Sequence, residues 1–182
     1  MTTLTDKELL DLMKNPASRE LGFRQLIETY QKKVYSLIRK MVIIHEDADD
    51  LTQITFIKAF KNINKFQGNS SLFTWLYRIA TNESLNFLAK KKKRFFVDLS
   101  DHEELMKHHV DHSPLIDGDE IERKLQKALL HLPDKQRLVF NLKYFEDLNY
   151  EEISKITDTS VGSLKASYHH AVKKIENELR SE

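Results

Sequence analysis

Apolar residues recur every three or four positions along most of the chain, the spacing that gathers them on one face of a helix. Phe23, Leu26, Ile27, Tyr30, Val34, Leu37, Ile38 and Met41 form the first such stripe and predict a long helix ending near Ile44. A second helix is expected from about Glu46, with Leu51, Ile54, Ile57 and Phe60 facing inward. Its first turn holds Glu46, Asp47, Asp49 and Asp50, carboxylates that favour the positive end of a helix dipole. Gln67-Gly-Asn-Ser70 interrupts the pattern, and Ser70 or Ser71 then caps a third helix carrying Leu72, Leu76, Ile79 and Phe87 on its core face.

The same period returns after residue 120. Ile121, Leu125, Ala128 and Leu129 predict a helix stopped by Leu132-Pro133, and Asp134 caps the next, which carries Leu138, Val139, Leu142 and Tyr144. Asn149-Tyr-Glu-Glu152 has the form of a capping box opening a short helix with Ile153 and Ile156. A tight connection, Asp158-Thr-Ser-Val161, leads to a last helix whose inward stripe is Leu164, Tyr168, Ala171, Val172, Ile175 and Leu179. Two helices joined so closely fit either a helix-turn-helix or a plain helical hairpin. Residues 98–118 contain a Pro, a Gly and no sustained period, apart from a possible short helix over 103–109, and read as a linker.

Composition strengthens the helical expectation. Four Gly and three Pro among 182 residues are too few for a turn-dense β sandwich. The fold class expected is all-α: two small helical domains joined by an acidic linker. The absence of cysteine removes disulfide scaffolds, Cys-ligated zinc and thiol nucleophiles, and fits a reducing cytoplasm. The start, Met1-Thr-Thr-Leu-Thr-Asp6, has no basic segment followed by an apolar one, and no stretch reaches the ~18 apolar residues of a membrane span. A cytoplasmic protein is expected. Its net charge of +1 conceals an uneven distribution: −1 over residues 1–18, +8 over 19–97, −8 over 98–122 and +2 over 123–182.

Three groups of side chains carry candidate chemistry. Phe73, Trp75 and Tyr77 cluster at the start of the third helix, with Arg78, Thr81 and Asn82 a turn later and Lys90-Lys-Lys-Lys-Arg94 at its end. Aromatic faces beside hydrogen-bonding groups and cations suit stacking on unpaired bases, although aromatic residues at helical spacing also fill cores. The last helix leaves Ser163, Lys165, Ala166, Ser167, His169, His170, Lys173 and Lys174 toward the outside, short polar and basic groups of the kind that read base edges in a major groove. His102, His108, His109 and His112 lie among acidic residues, and His108 and His112 have the i, i+4 spacing of metal ligands, but no general-base motif accompanies them. No Gly-rich phosphate loop is present. Neither a metal site, a cofactor nor an enzyme activity is expected, which leaves a dimeric helix-turn-helix regulator and a structural adaptor as alternatives to the next reading.

The stretches Glu46-Asp-Ala-Asp-Asp-Leu-Thr-Gln-Ile-Thr-Phe56, Phe73-Thr-Trp-Leu-Tyr-Arg-Ile-Ala-Thr-Asn82, Leu132-Pro-Asp-Lys-Gln-Arg137, Tyr150-Glu-Glu-Ile153 and Val161-Gly-Ser-Leu-Lys165 resemble, in this order, the group IV or extracytoplasmic-function (ECF) class of sigma-70 factors. The resemblance implies a transcription initiation factor that binds bacterial core RNA polymerase, directs it to −35 and −10 promoter elements and helps melt the DNA. It implies a region 2 domain over 1–97, a linker over 98–118, and a region 4 domain over 119–182 with a helix-turn-helix of winged-helix-like type. Core-polymerase contacts fall on Asp49, Asp50, Gln53 and Phe56. Contacts to the −10 element and its melted strand fall on Lys65, Phe66, Asn69, Ser70, Phe73, Trp75, Tyr77, Arg78 and Asn82. Contacts to the −35 element fall on Ser163, Lys165, Ala166, Ser167, His169, His170 and Lys173. The partners implied are core polymerase, double-stranded and melted promoter DNA and an anti-sigma factor, with no small-molecule substrate and a monomer when free. Lys165-Ala-Ser167 stands where many members have Lys-Ser-Arg, so a bidentate guanine reader is missing and the −35 sequence does not transfer.

Overall fold

The computed structural model describes residues 4–94 and 120–181. Four helices make up the first stretch: α1 (Asp6–Lys14), α2 (Arg19–Val42), α3 (His45–Asn62) and α4 (Leu72–Arg94), with a 3-10 turn at Ile63–Lys65 after α3. Four more make up the second: α5 (Glu120–Leu130), α6 (Asp134–Phe140) running on into a π-helical turn at Asn141–Phe145, α7 (Tyr150–Thr157) and α8 (Val161–Ser181). No strand occurs among the described residues, so the second domain is a helix-turn-helix without a wing there. The expected linker, its short helix and the His108–His112 spacing lie outside the described residues.

The local signals act where they stand. Asn149 Oδ1 accepts the Glu152 N–H at 2.9 Å while Glu152 Oε2 accepts the Asn149 N–H at 2.9 Å, which closes the capping box of α7. Ser71, of the two candidates, caps α4, its Oγ accepting the Thr74 N–H at 3.1 Å. Asp134 does not cap α6; Pro133 holds that position and Asp134 is the first helical residue, where its carboxylate meets Lys92. The helix α1 was not foreshadowed, although Thr5 and Glu8 form a second reciprocal capping box at its start. Asp6, in its first turn, also accepts the Leu72 N–H at 2.9 Å and so fixes the start of α4.

The first domain packs Leu9 and Met13 of α1, Leu26, Val34, Leu37, Ile38 and Met41 of α2, Leu51, Phe56 and Ala59 of α3, and Leu72, Leu76 and Ala80 of α4 into one core. That core continues through Leu138, Val139, Leu142, Ile153, Ile156 and Leu164, so the two domains touch along an apolar seam. A smaller cluster, Ala128, Leu129, Leu132, Phe140, Ala171 and Ile175, closes the second domain. Several expected inward residues face out. Ile54, Ile57 and Phe60 are 38%, 50% and 40% exposed, because α3 packs through Ala48, Leu51, Thr55, Phe56 and Ala59. Ile27, Ile121, Tyr144 and Leu179 are likewise exposed.

Gly22 explains how α1 lies so close to α2. A Cβ there would stand 2.8 Å from the Met13 backbone nitrogen, 2.9 Å from Met13 Cγ and 3.0 Å from Leu12 Cβ. Gly22→Ala is expected to push α1 outward and cost about 1–3 kcal/mol of overpacking, against roughly 1 kcal/mol regained in helix propensity. Urea denaturation checks this as a lowered midpoint at unchanged slope.

Candidate nucleic-acid interface

Three surfaces bring the singled-out residues together. The first lies on α3. Asp50 and Gln53 are exposed and share a face with Ile54 and Ile57, at the spacings of three and four that align side chains along a helix. Asp49 sits beside them, half-buried, 3.3 Å from His45 Nε2, while His45 Nδ1 lies 2.7 Å from the Tyr35 hydroxyl. Phe56 is a correction: it is 8% exposed and belongs to the core, so the apolar part of this face is Ile54 and Ile57. The helical period marks an apolar stripe on α3 without saying which of its two stripes meets α2, and only the packing decides.

The second surface is the loop before α4 and the outer face of that helix. Lys65, Gln67, Gly68 and Asn69 are exposed, Ser70 is half-exposed, and Gly68 takes φ +75°, a left-handed turn with open space around it. Trp75, Arg78 and Asn82 follow at spacings of three and four and form one stripe down α4. Trp75 is half-buried with its ring 5.0 Å from that of Phe66, which is itself buried and serves as the support of the indole. Phe73 lies over Tyr77 at 4.0 Å. Tyr77 is the second correction: it is fully buried and its hydroxyl donates to Glu146 Oε2 at 2.9 Å, so in this arrangement it is a seam residue and offers no face for stacking. Arg78 is also engaged, with Nε and Nη2 both donating to the Lys155 carbonyl.

The third surface is α8. Ser160 caps it, its Oγ accepting the Ser163 N–H at 3.3 Å, and Leu164, Ala171 and Ile175 anchor it inward. Ser163, Lys165, Ala166, His169, His170 and Lys173 are exposed and Ser167 is half-buried, so the helix presents small polar and basic groups along its outer surface. Lys165 Nζ and Lys143 Nζ lie 5.8 Å and 5.7 Å from the Tyr150 ring centroid, which holds two cations on the same side of the helix-turn-helix. Tyr168 stacks on Phe140 at 5.7 Å and buttresses α8 from beneath.

These surfaces belong to two matched family descriptions: residues 26–94 match Sigma-70 region 2, and residues 122–175 match Sigma-70, region 4. The ECF RNA polymerase sigma factor SigW of Bacillus subtilis is 32% identical over 167 residues, 87% of this chain and 89% of the relative. The chain belongs to the ECF family of RNA polymerase sigma factors. A second relative, the ECF RNA polymerase sigma-E factor of Haemophilus influenzae, is 30% identical over 190 residues, 97% of this chain and 96% of that protein. Sigma factors are initiation factors for transcription and not enzymes. Two solved structures share the fold. The sigma factor RpoE from Bartonella quintana, solved with the anti-sigma factor NepR, gives a TM-score of 0.67 at 22% identity over 87% of this chain and 96% of that one. CnrH, solved with the cytosolic domain of CnrY, gives 0.69 at 18% identity over 97% and 98%. Among the described residues of this sigma factor no helix is long and apolar enough to cross a membrane.

Two tyrosines link the site to pH. Burial, with Asp6 adding charge and a hydrogen bond, raises the Tyr30 hydroxyl to about 12 from its ordinary value near 10. Burial, then the charge and hydrogen bond of Glu146, raises Tyr77 further still. Both are neutral in the fold at pH values where they ionise in the unfolded chain, so the stability they contribute is complete below pH 10 and is lost as pH rises through the folded values. The denaturation midpoint is therefore expected to hold steady from neutrality to about pH 10 and to fall between there and about 12. Tyr30→Phe should flatten the decline, as read from urea midpoints at stepped pH.

Proposed function

We propose that this sigma factor carries core RNA polymerase to promoters with −35 and −10 elements and opens the DNA by capturing the unpaired −10 strand. The observation that carries the reading is the outer surface of α8, where a helix N-terminus capped by Ser160 is followed by Ser163, Lys165, Ala166 and His170, all exposed, and half-buried Ser167. Such a helix enters a major groove end-on, and its short side chains reach base edges while Lys165 and Lys173 meet phosphates. The region 2 surface supplies the second contact. Trp75, supported by Phe66, gives an aromatic plane for a flipped base; Asn82, and the N–H groups of Arg78 that the Lys155 carbonyl does not take, are assigned as donors to it; Lys65, Asn69 and Ser70 line the loop at its edge. No fuel enters this scheme, because binding single strand better than duplex shifts the equilibrium toward the open state.

Docking on the polymerase is assigned to the α3 face of Asp49, Asp50 and Gln53 together with Ile54 and Ile57. Exposed aliphatic groups flanked by carboxylates suit a partner helix that is apolar along one side and basic at its rim. The proposed division over the chain is region 2 in 1–97, linker in 98–118 and region 4 in 119–182. Because the solved neighbour RpoE was co-crystallised with an anti-sigma factor, a protein of that kind is proposed as the holding partner here.

The deciding experiment is co-elution of the full chain with bacterial core polymerase at near-physiological salt, where diffuse charge pairing is screened. A stoichiometric complex is expected; a folded monomer that elutes alone overturns polymerase binding, leaves the family membership as fold kinship and turns to the helix-turn-helix regulator and adaptor readings. Within the complex, Trp75→Ala should lower the open-complex equilibrium about 5- to 150-fold, the equivalent of one stacked base, while closed-complex binding holds. Lys165→Ala should weaken binding to a −35-containing promoter and reduce its salt slope by about 1, with core affinity unchanged. Permanganate footprinting and filter binding separate the steps.

A further inference from the structure

A tyrosine, a histidine and an aspartate stand in line across the corner where α2 gives way to α3. Tyr35 lies about two turns before the end of α2, half-buried against the core of the first domain, and His45 is the first residue of α3. The Tyr35 hydroxyl and His45 Nδ1 are 2.7 Å apart, with the two rings edge-on at 5.9 Å. On the far side of the imidazole, His45 Nε2 faces Asp49 Oδ2 at 3.3 Å, one turn along the same helix. Asp49 is one of the residues assigned to the polymerase.

The tautomer of the ring follows from what each atom can donate or accept. With the Tyr35 O–H donating to Nδ1, a neutral imidazole carries its own proton on Nε2, the nitrogen that faces the carboxylate. Tyr35 therefore makes His45 a donor toward Asp49, and it does so from a ring packed on the core. Asp47, in the same turn, is treated differently: it meets Lys91 of α4 at 2.9 Å, so its charge is balanced within the chain. A lysine at position 45 would do the same to Asp49. A neutral imidazole orients the carboxylate and leaves its charge for a cation on a partner, which then has no loose side chain to order. The other ionisable side chains of this corner are Glu46 beside His45, Arg39 one turn after Tyr35 on α2, and Lys91 behind Asp47.

We propose that Tyr35 and His45 are positioning residues for polymerase docking, which hold the Asp49 carboxylate toward a basic group of the partner and release it from that role when His45 takes up a second proton. The proposal rests on the assignment of the α3 face to polymerase. In the protonated ring Nδ1 becomes a donor, the Tyr35 oxygen accepts from it, and the imidazolium competes with the partner's cation for Asp49. Docking then expels a proton, so affinity falls as pH is lowered through the range in which imidazole gains charge.

The affinity of the full chain for core polymerase tests this in wild type, Tyr35→Phe, His45→Gln, Asp49→Asn and the double variant Tyr35→Phe/Asp49→Asn. Asp49→Asn is expected to weaken binding. Tyr35→Phe keeps the ring in the core; it is expected to weaken binding about threefold at neutral pH and to add nothing when Asp49 is already asparagine, a coupling that altered packing alone does not produce. The ratio of wild-type to His45→Gln affinity, in which titration of the polymerase itself cancels, is expected to fall about threefold or more between about pH 8 and about pH 5.5. Tyr35→Phe that binds as wild type, or whose loss persists in full beside Asp49→Asn, overturns the proposal, as does a ratio that stays level with pH. Asp49→Asn that binds as tightly as wild type removes instead the assignment of Asp49 to the docking face, and the positioning role falls with it. Failure of every form of the chain to bind removes the docking reading as a whole.

Discussion

The end of α2 needs hydrogen-bond donors that its own sequence does not supply. Ile43 stops the helix at φ +69°, a strained conformation for a β-branched residue, and leaves carbonyls that must be met from elsewhere. Arg137 and Asn141 meet them across about a hundred residues of sequence. Removing either would leave a buried acceptor, and for Arg137 a buried charge whose pKa is already lowered by burial against the support of Asp134. The joint at Ile43 and Ile44 also sets where α3 begins, and Leu130 of the second domain packs on that joint. The face assigned to polymerase and the face assigned to the −10 strand therefore share a frame whose corner is completed by the domain assigned to the −35 element.

α3 shows why apolar residues cannot be sorted by size alone. Ala48, Thr55 and Ala59 let it lie close to its neighbours, and Thr55 satisfies its buried hydroxyl by donating to the Leu51 carbonyl at 2.8 Å. Ile54 and Ile57 are left in water, where each forgoes part of the ~1.5–3 kcal/mol that full burial would contribute. Phe60 recovers some of this, with its ring edge-on to Phe23 at 4.6 Å and beneath the Arg19 guanidinium at 4.4 Å. The two isoleucines have no such cover among the described residues, which is why the ridge they form with Gln53 is read as a surface for a partner.

What the sequence discloses follows the range of the interaction. Helix positions, the Asn149–Glu152 box and the Ser71 cap depend on residues three or four apart and are legible as pattern. The outward set on α8 is legible for the same reason: once Leu164, Ala171 and Ile175 are placed inward, the exposure of Lys165 and His169 follows from the period. α1 carries the same kind of signal in Thr5 and Glu8, with Leu9 and Met13 behind it, but its apolar stripe is short. The burial of Tyr77, Phe56 and Phe66 is not legible in this way. Each lies in a motif associated with a surface, and only the far partners, Glu146 for Tyr77 and the α2–α3–α4 core for Phe56, show that the side chain turns inward.

Melting by capture sets a requirement that the geometry addresses. Opening a base step costs a few kcal/mol, and the free energy must come from contacts available to the unpaired strand alone. A mobile aromatic group would lose much of its stacking energy in being ordered, so the plane has to be held before the base arrives. Phe66 does this for Trp75 from a loop end that is itself tied down, since its carbonyl accepts Lys14 Nζ at 3.0 Å from α1. α1 is tied in turn to the start of α4 through Asp6. The unforeseen helix thus braces both ends of the proposed capture face, and rigidity at Trp75 is a property of the whole first domain rather than of its motif.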